Sequence, residues 1–363
     1  MVHPKYEEVA RILRERLDAL KERDGDIRGK PKGALVKPQG HEQKSFSEED
    51  VEAFKREFLE RFGGMSLEKA LEGSWIEERH GLLTITHRER FELVHPGKEH
   101  AYERLARALW LVAGIRDTRA CELKGKGIES IFDLANHSTY GALAREICSM
   151  ISQERTHRLY EHICTRGGRA HILSLALAPF FRSKDVAFLD IEAMGLFGGS
   201  LVMAVGLGMQ KEEGFEITQF LAKTPDAEEV LIGETCRTLQ GYEVLVTFNG
   251  RAFDVPFIAQ RAAFYGVQFR ENFLHFDILH ISRRIFKEKA RSCKLQDLAI
   301  EVLGEGRDSD LPGALVPRFY QEYMEDPQNK GALLVAILRH NKSDVLQMAK
   351  LYNELVKMAS LQT

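Results

Sequence analysis

The run that begins near Phe181 constrains this chain more than any other part of it. VAFLDIEAMGL, LVMAVGLGM, FEITQFLA and YEVLVTFNG are short segments rich in β-branched and aromatic residues, and each reads as a strand. The first three lie close together, a helix-like DAEEVLIGETCRTLQ precedes the fourth, and helical spacing dominates afterwards. Three strands that can pair as a meander, then a helix leading to a further strand and helix, predict an α/β fold with a mixed β-sheet flanked by helices.

That element order is the one expected of a ribonuclease-H-like sheet, here spanning 181–363. The preceding 1–180 reads as a mainly α-helical region. It opens with a charged helix at about 5–23, followed by the linker-like GDIRGKPKGALVKPQGHEQKS. Ser47 with Asp50 three residues on predicts a capping box and a helix to about Phe62. Around 74–93, His80-Gly81 between two strand-like runs predicts a small β-hairpin, and helical periodicity dominates from about 99 to 178. The 363 residues suffice for two such domains, and no internal repeat of about 20–50 residues is present.

Apolar content of 44% and charged content of 29% are those of a globular chain, and a net charge of −3 neither favours nor excludes a polyanionic partner. No apolar run approaches the roughly 18 residues that span a bilayer, so no membrane role is expected. The N-terminus lacks the charged-then-apolar order of a signal peptide. Cys121, Cys148, Cys164, Cys236 and Cys293 are odd in number and never form a CxxC pair. Reduced thiols and a cytoplasmic location are the expectation.

Three clusters carry chemistry. In VAFLDIE, Asp190 and Glu192 are i and i+2, so they share one face at the end of an otherwise apolar strand. Two adjacent carboxylates either reach solvent there or face a divalent cation that relieves their repulsion. In LVTFNGRAFDVPFI, a strand ends at Asn249-Gly250 and a helix starts near Asp254, with Pro256 in its first turn. Asp254 is either a helix N-cap or a further metal carboxylate. In the last long helix, about 330–358, His340 and Asp344 are i and i+4 beside an apolar stripe. They bond to each other as a buried pair or face a metal site. Four acids and a histidine together suit two-metal phosphodiester hydrolysis, with the histidine taking a proton from the attacking water.

FLDIEAMGL, TFNGRAFDVPF and RHNKSDVLQMAKL resemble, in order, the three exonuclease motifs of the DEDD (DnaQ-like) 3′–5′ exonuclease superfamily, and most closely its YprB-like ribonuclease-H-like branch. HFDILHISRR, CKLQDLA and GRDSDLPGALVPRFYQEYM also look like that branch, so the resemblance covers about 180–358. It implies two Mg²⁺ or Mn²⁺ ions. Asp190 would bridge both, Glu192 would ligate one and orient the water, and Asp254 would hold the second. Asp344 would complete the ligands of the first metal, with His340 as general base. Asn249 and Phe253 match supporting positions, while Met194, Gly195 and Leu196 would border the terminal nucleotide. Two departures stand out: His340 precedes Asp344 by four residues, where histidine-type members have five, and Ala-Met follows Glu192 where many relatives have Thr-Thr. Asp277, Asp297, Asp308 and Asp310 read as caps or turn residues, Asp277 also as a support of the site.

In the N-terminal half, Gly125-Lys126-Gly127 before Ile128 resembles a helix-hairpin-helix turn, whose amides can hold a DNA phosphate. Plain helical packing is the alternative. Arg155, Arg158, His162, Arg166 and Arg169 follow steps of three and four, as either a solvated face or a phosphate track. The leading function that the resemblance implies is a 3′–5′ exonuclease acting on DNA or on RNA, with DNA favoured. The alternatives are a non-catalytic nucleic-acid-binding module or a structure-specific endonuclease of the same fold. Nothing in these residues specifies a helicase or other repair partner.

Overall fold

The computed structural model describes residues 46–195, 199–288, 290–307 and 310–361. The expected helix at 5–23 and the Gly/Pro/Lys stretch lie outside them. The described chain divides into two compact units: one from the described parts of Met1–Leu71 with Leu311–Ile337, the other from Glu72–Asp310 with Leu338–Thr363.

In the first unit, the helix Glu48–Phe62 starts at a capping box: the Ser47 hydroxyl accepts from the Asp50 N–H, and the Asp50 carboxylate accepts from the Ser47 N–H at 2.9 Å. Val51, Phe58 and Phe62 form its buried face. Phe58 meets Phe319 of the helix Val316–Glu325 edge-on, with ring centroids 6.4 Å apart.

The second unit holds a seven-stranded sheet. Its strands are β1 (Ser74–Arg79), β2 (Leu82–Glu89), β3 (Val186–Ala193), β4 (Val202–Lys211), β5 (Gly214–Ala222), β6 (Val244–Thr247) and β7 (Leu274–Asp277), in the order β1-β2-β5-β4-β3-β6-β7. His80 and Gly81, with φ of 51° and 76°, make the two-residue hairpin turn. The hairpin does not stand apart. β2 pairs antiparallel with β5 from Leu82↔Ala222 to Glu89↔Phe215, so the sheet-bearing unit reaches back to residue 72 rather than starting at 181. The physical reason is that a lone hairpin is marginal, whereas the edge of β5 satisfies its backbone and buries Leu83 and Ile85. β3, β6 and β7 run parallel, so their C-terminal ends open on one edge of the sheet.

The sheet separates two cores. Ala187, Leu189 and Ile191 face the helices Glu228–Leu239 and Asp254–Phe264. Val186 and Phe188 face the other way, into a core shared with the helices Lys98–Arg107, Gly141–Ser152, Thr156–Gly167 and Ile278–Phe286 and the long helix Gly331–Leu361. Strand alternation then puts Asp190 and Glu192 on the long-helix side. That helix lies close because β4 carries glycine beneath it. A Cβ at Gly206, directly opposite Asp190, would come within 2.3 Å of Asn341 Oδ1, and one at Gly208 within 2.7 Å of Val345. Among the described residues no helix is long and apolar enough to cross a membrane, and all five cysteines are free.

Candidate functional site

Asp190 lies in the C-terminal half of β3, just past the last residue that pairs with β6. Its Oδ2 accepts from Asn341 Nδ2 at 2.8 Å. Asn341 Oδ1 accepts from Gln219 Nε2 at 2.8 Å, and Gln219 also donates to the Leu338 carbonyl. With both amide protons spent, Gln219 Oε1 must accept, and His87 Nε2 donates to it at 3.1 Å. Burial holds His87 neutral, pushing it down to about 4. The hairpin strand β2 thus ends a one-way chain of donors that fixes one Asp190 oxygen. Neither His87, Gln219 nor Asn341 was singled out in the sequence, although Asn341 lies beside His340 as a polar break in the buried stripe.

Asp254 is the first residue of the helix Asp254–Phe264, and it does not act as a cap. The N-cap is Phe253, which makes no capping bond. Asp254 is 5% exposed and accepts from the Ile191 N–H at 3.0 Å, between Asp190 and Glu192. The loop before it is pinned by Asp277, which accepts from the N–H groups of Asn249 at 2.8 Å and Arg251 at 3.1 Å. Asn249 is left-handed at φ 73°. Gly250 must lack a side chain, because a Cβ would lie 2.5 Å from Thr247. Asp277 also caps the helix Ile278–Phe286, and so serves both readings made of it from the sequence.

His340 and Asp344 project from the long helix one turn apart. His340 Nε2 lies 3.5 Å from Asp344 Oδ2 and 3.9 Å from Glu192 Oε1. Its Nδ1 lies 3.1 Å from Asp310 Oδ1. Asp310 is therefore no mere turn residue. Its carboxylate fixes the imidazole, leaves Nε2 as the atom that gains or loses a proton, and also takes a 2.7 Å bond from Arg307 Nη1. Arg307 bonds Asp344 and Gln347 as well, clamping the acid opposite Nε2. Arg307 was also missed in the sequence and Asp310 was read as a turn residue, because their bonds to Asp344 and His340 reach 37 and 30 positions along the chain. Asp297 bonds Ser292 as a turn residue would, and Asp308 lies outside the described residues.

Electrostatics sorts these acids. Burial pushes Asp190 well above the ordinary carboxylate range, and Asp344, Glu192 and Asp254 push it further. Burial likewise raises Glu192 to about 8, against the pull of His340. Asp254 rises to about 7, mainly by burial, against its own N–H and that of Ile191. Burial opposes charge on His340, yet Asp344, Asp310 and Glu192 outweigh it and raise the ring to about 9. Asp310 is different: burial would raise it, but His340 and Arg307 hold it below its usual value. Asp310 therefore has its cations already, whereas Asp190 and Asp254 face other acids, and Glu192 has His340 alone to offset its acidic neighbours.

An all-oxygen set of this kind suits a hard divalent cation, which would relieve that repulsion. Among the described residues no three His, Cys, Asp or Glu side chains already form a ready cage. Asp254 and Asp344 are turned toward Ile191 and Arg307.

The remaining expected positions fall out unevenly. Met194 donates its N–H to the Leu201 carbonyl at 2.8 Å, just beyond the bulge after Glu192. Gly195 follows it, and Leu196 lies outside the described residues. Phe253 meets Phe257 at a tilt, with ring centroids 4.5 Å apart, packed against the second core. Gly125 and Gly127 do form a turn after the helix Asp117–Lys124, but only a short 3-10 turn, Asp133–Asn136, comes next. The Asp133 carboxylate already takes the amides of Glu129 and Ser130, so a helix-hairpin-helix phosphate cradle is not built there. The arginine stripe is also divided. Arg166 donates to the carbonyls of Trp110 and Val112, and His162 bonds that of Leu111. These two hold the 3-10 turn Leu109–Leu111 in place, while Arg155 and Arg158 stay exposed.

Residues 187–356 match the family model described as RNase_H_2, RNase_H superfamily. "Uncharacterized protein YprB" of Bacillus subtilis (strain 168) is 31% identical over 196 residues, which is 53% of this chain and 46% of YprB. The chain thus spans about half the length of that relative. Among solved structures, the family B DNA polymerase from the hyperthermophilic archaeon Pyrobaculum calidifontis is similar at 21% identity and a TM-score of 0.37, over 48% of this chain and 25% of the polymerase. Strand order, helices on both faces and the match over residues 187–356 agree on one fold, a ribonuclease-H-like mixed sheet flanked by helices.

Proposed function

We propose that this chain is a divalent-metal-dependent 3′–5′ exonuclease of the DEDD type, acting on nucleic acid and on DNA in preference to RNA. One observation carries the reading. Asp190, Glu192, Asp254 and Asp344 come from three separate segments to one buried edge, where His340 is aimed at them by an acid of its own. Asp190, Glu192, Asp254 and Asp344 would hold two Mg²⁺ or Mn²⁺ ions, which would activate water and stabilise the leaving oxygen. With the neighbouring acids neutralised by cations, His340 would lose the proton that their charge holds on it, and its Nε2 could then take one from water, while Asp310 keeps the ring oriented and Asn341 fixes Asp190. Met194, Gly195, Asn249 and Phe253 would border the terminal nucleotide.

Linear and covalently closed circular single strands, incubated with Mn²⁺, test the reading. Degradation of the linear strand with the circle spared is expected. Nicking of the circle would replace it with an endonuclease of the same fold. Asp310→Asn is expected to lower turnover at least about tenfold, though less than loss of His340 itself, with KM little changed. Steady-state kinetics checks this, and an unaltered turnover would return Asp310 to a structural role.

The raised carboxylates give a metal-linked stability signature. Between their ordinary values and about 7–8, folded Asp254 and Glu192 keep protons that the unfolded chain has released, so stability falls as pH rises. Folded His340 keeps a proton up to about 9, which adds a loss of the same sign above its ordinary 6.5. A cation that neutralises the cluster removes this loss. The rise in Tm on adding Mg²⁺ should therefore be larger at pH 8.5 than at pH 6, read by differential scanning calorimetry. A metal effect that shrinks with pH would contradict the assignment.

A further inference from the structure

Two strands away from Asp190, a cavity of about 210 Å³ is lined by Tyr160, Arg169, Ser174, Arg251, Asp277 and His280. It adjoins an open recess that shares Tyr160, Arg169 and Arg251. Arg251 belongs to the loop between β6 and Asp254, and its backbone is pinned by Asp277. Its Nη2 donates to the Tyr160 hydroxyl at 2.8 Å and to the His275 carbonyl. Its Nε is buried and has no hydrogen-bond partner. This guanidinium is held firmly with one donor unspent, and Arg251 lines both the cavity and the recess.

Arg169 stands on the same wall. It is exposed, and it makes no hydrogen bond or ion pair to any described residue. Both arginines lie close enough to His275 to help hold that buried ring neutral. The acid in the cavity wall, Asp277, has its oxygens committed to the amides of Asn249, Arg251 and Leu279. Glu161 lines the outer recess only. The cavity wall therefore presents cationic donors, with its carboxylate already occupied.

Position says what the acceptor is. Asp277 pairs level with Thr247, and the C-terminal ends of β3, β6 and β7 open on one edge. Two strand spacings separate the cavity wall from β3, roughly 10 Å. Asp277 also contributes to raising Asp254, so the cavity adjoins the carboxylates. We infer that Arg169 and Arg251, with the Tyr160 hydroxyl, form a subsite for an internal backbone phosphate of the strand whose end lies at Asp190 and Asp254. This rests on the nuclease reading and adds a second point of grip on the same strand.

The test is steady-state kinetics of wild type and Arg169→Ala on oligothymidylates of two and ten nucleotides. For the ten-nucleotide strand, Arg169→Ala should raise KM about tenfold with turnover unchanged. It should also reduce the slope of log KM against log salt by about 0.7. The dinucleotide, too short to reach the cavity, should show no difference. Equal losses at both lengths, or none at either, would overturn the subsite. If wild type cleaves neither strand, the nuclease reading fails by itself, and anisotropy of the labelled ten-nucleotide strand decides the subsite. Weaker binding by Arg169→Ala supports it, and identical binding overturns it.

Discussion

Replacing Asp190 by Asn is expected to abolish cleavage, with a larger fall in turnover than any other single change in the site. Asparagine keeps the shape of the side chain and can still accept from Asn341 Nδ2 through its carbonyl oxygen. What it loses is the charge that the proposed cations would share, and with it both halves of the proposed chemistry. The same change should stabilise the metal-free chain. Asp190 is driven far above its ordinary range by burial and by three neighbouring acids, so an uncharged amide there removes repulsion. For a domain of this size, each kcal/mol gained appears as a Tm rise of about 2–4 °C. An inactive variant with a higher metal-free Tm would be the signature of a carboxylate kept for function at a cost to the fold. A lower Tm together with retained cleavage would undo the assignment of Asp190 as the shared ligand.

His340→Ala is expected to lower turnover by about 10²–10⁴-fold, the range associated with loss of a positioned general base. Metal binding should survive, because the acids that would hold the cations are untouched. Isothermal titration with Mn²⁺ separates these two effects. The expected result is near-wild-type affinity beside the kinetic loss. The ring is buried, and its Nδ1 is tied to Asp310, so the alternative is a purely structural histidine. That alternative predicts a drop in Tm with the turnover of the surviving folded protein close to normal.

Asp190 and Glu192 were legible in the sequence because strand alternation is a local rule, and so was the stacking of His340 on Asp344, because helix periodicity is local too. The strands β3 to β6 and the helix before β6 were legible for the same reason. What failed were properties set by distant partners. Asp254 could be read as a helix cap or as a metal carboxylate, and local sequence could not choose between them because its carboxylate reaches the Ile191 N–H, 63 positions away. Asp310 looked like a turn acid in GRDSDLPG, because nothing nearby in the chain reveals that it meets His340. The hairpin at β1 and β2 was visible, but its docking on β5 depends on an edge formed much later in the chain. β7, only Leu274–Asp277, is too short to separate from the helix it enters. Periodicity found a face of arginines, but not that Arg166 would be spent on the Trp110 and Val112 carbonyls.

A gel time course tests the central claim most directly. Single-stranded and duplex DNA and RNA, each labelled at the 5′ end, would be incubated with Mg²⁺ or Mn²⁺, with EDTA and the Asp190→Asn variant as controls. The predicted result is a ladder that shortens from the 3′ end, on DNA before RNA, absent from both controls. Tight binding with no cleavage of any substrate would contradict it and leave a ribonuclease-H-like fold that grips nucleic acid without cutting.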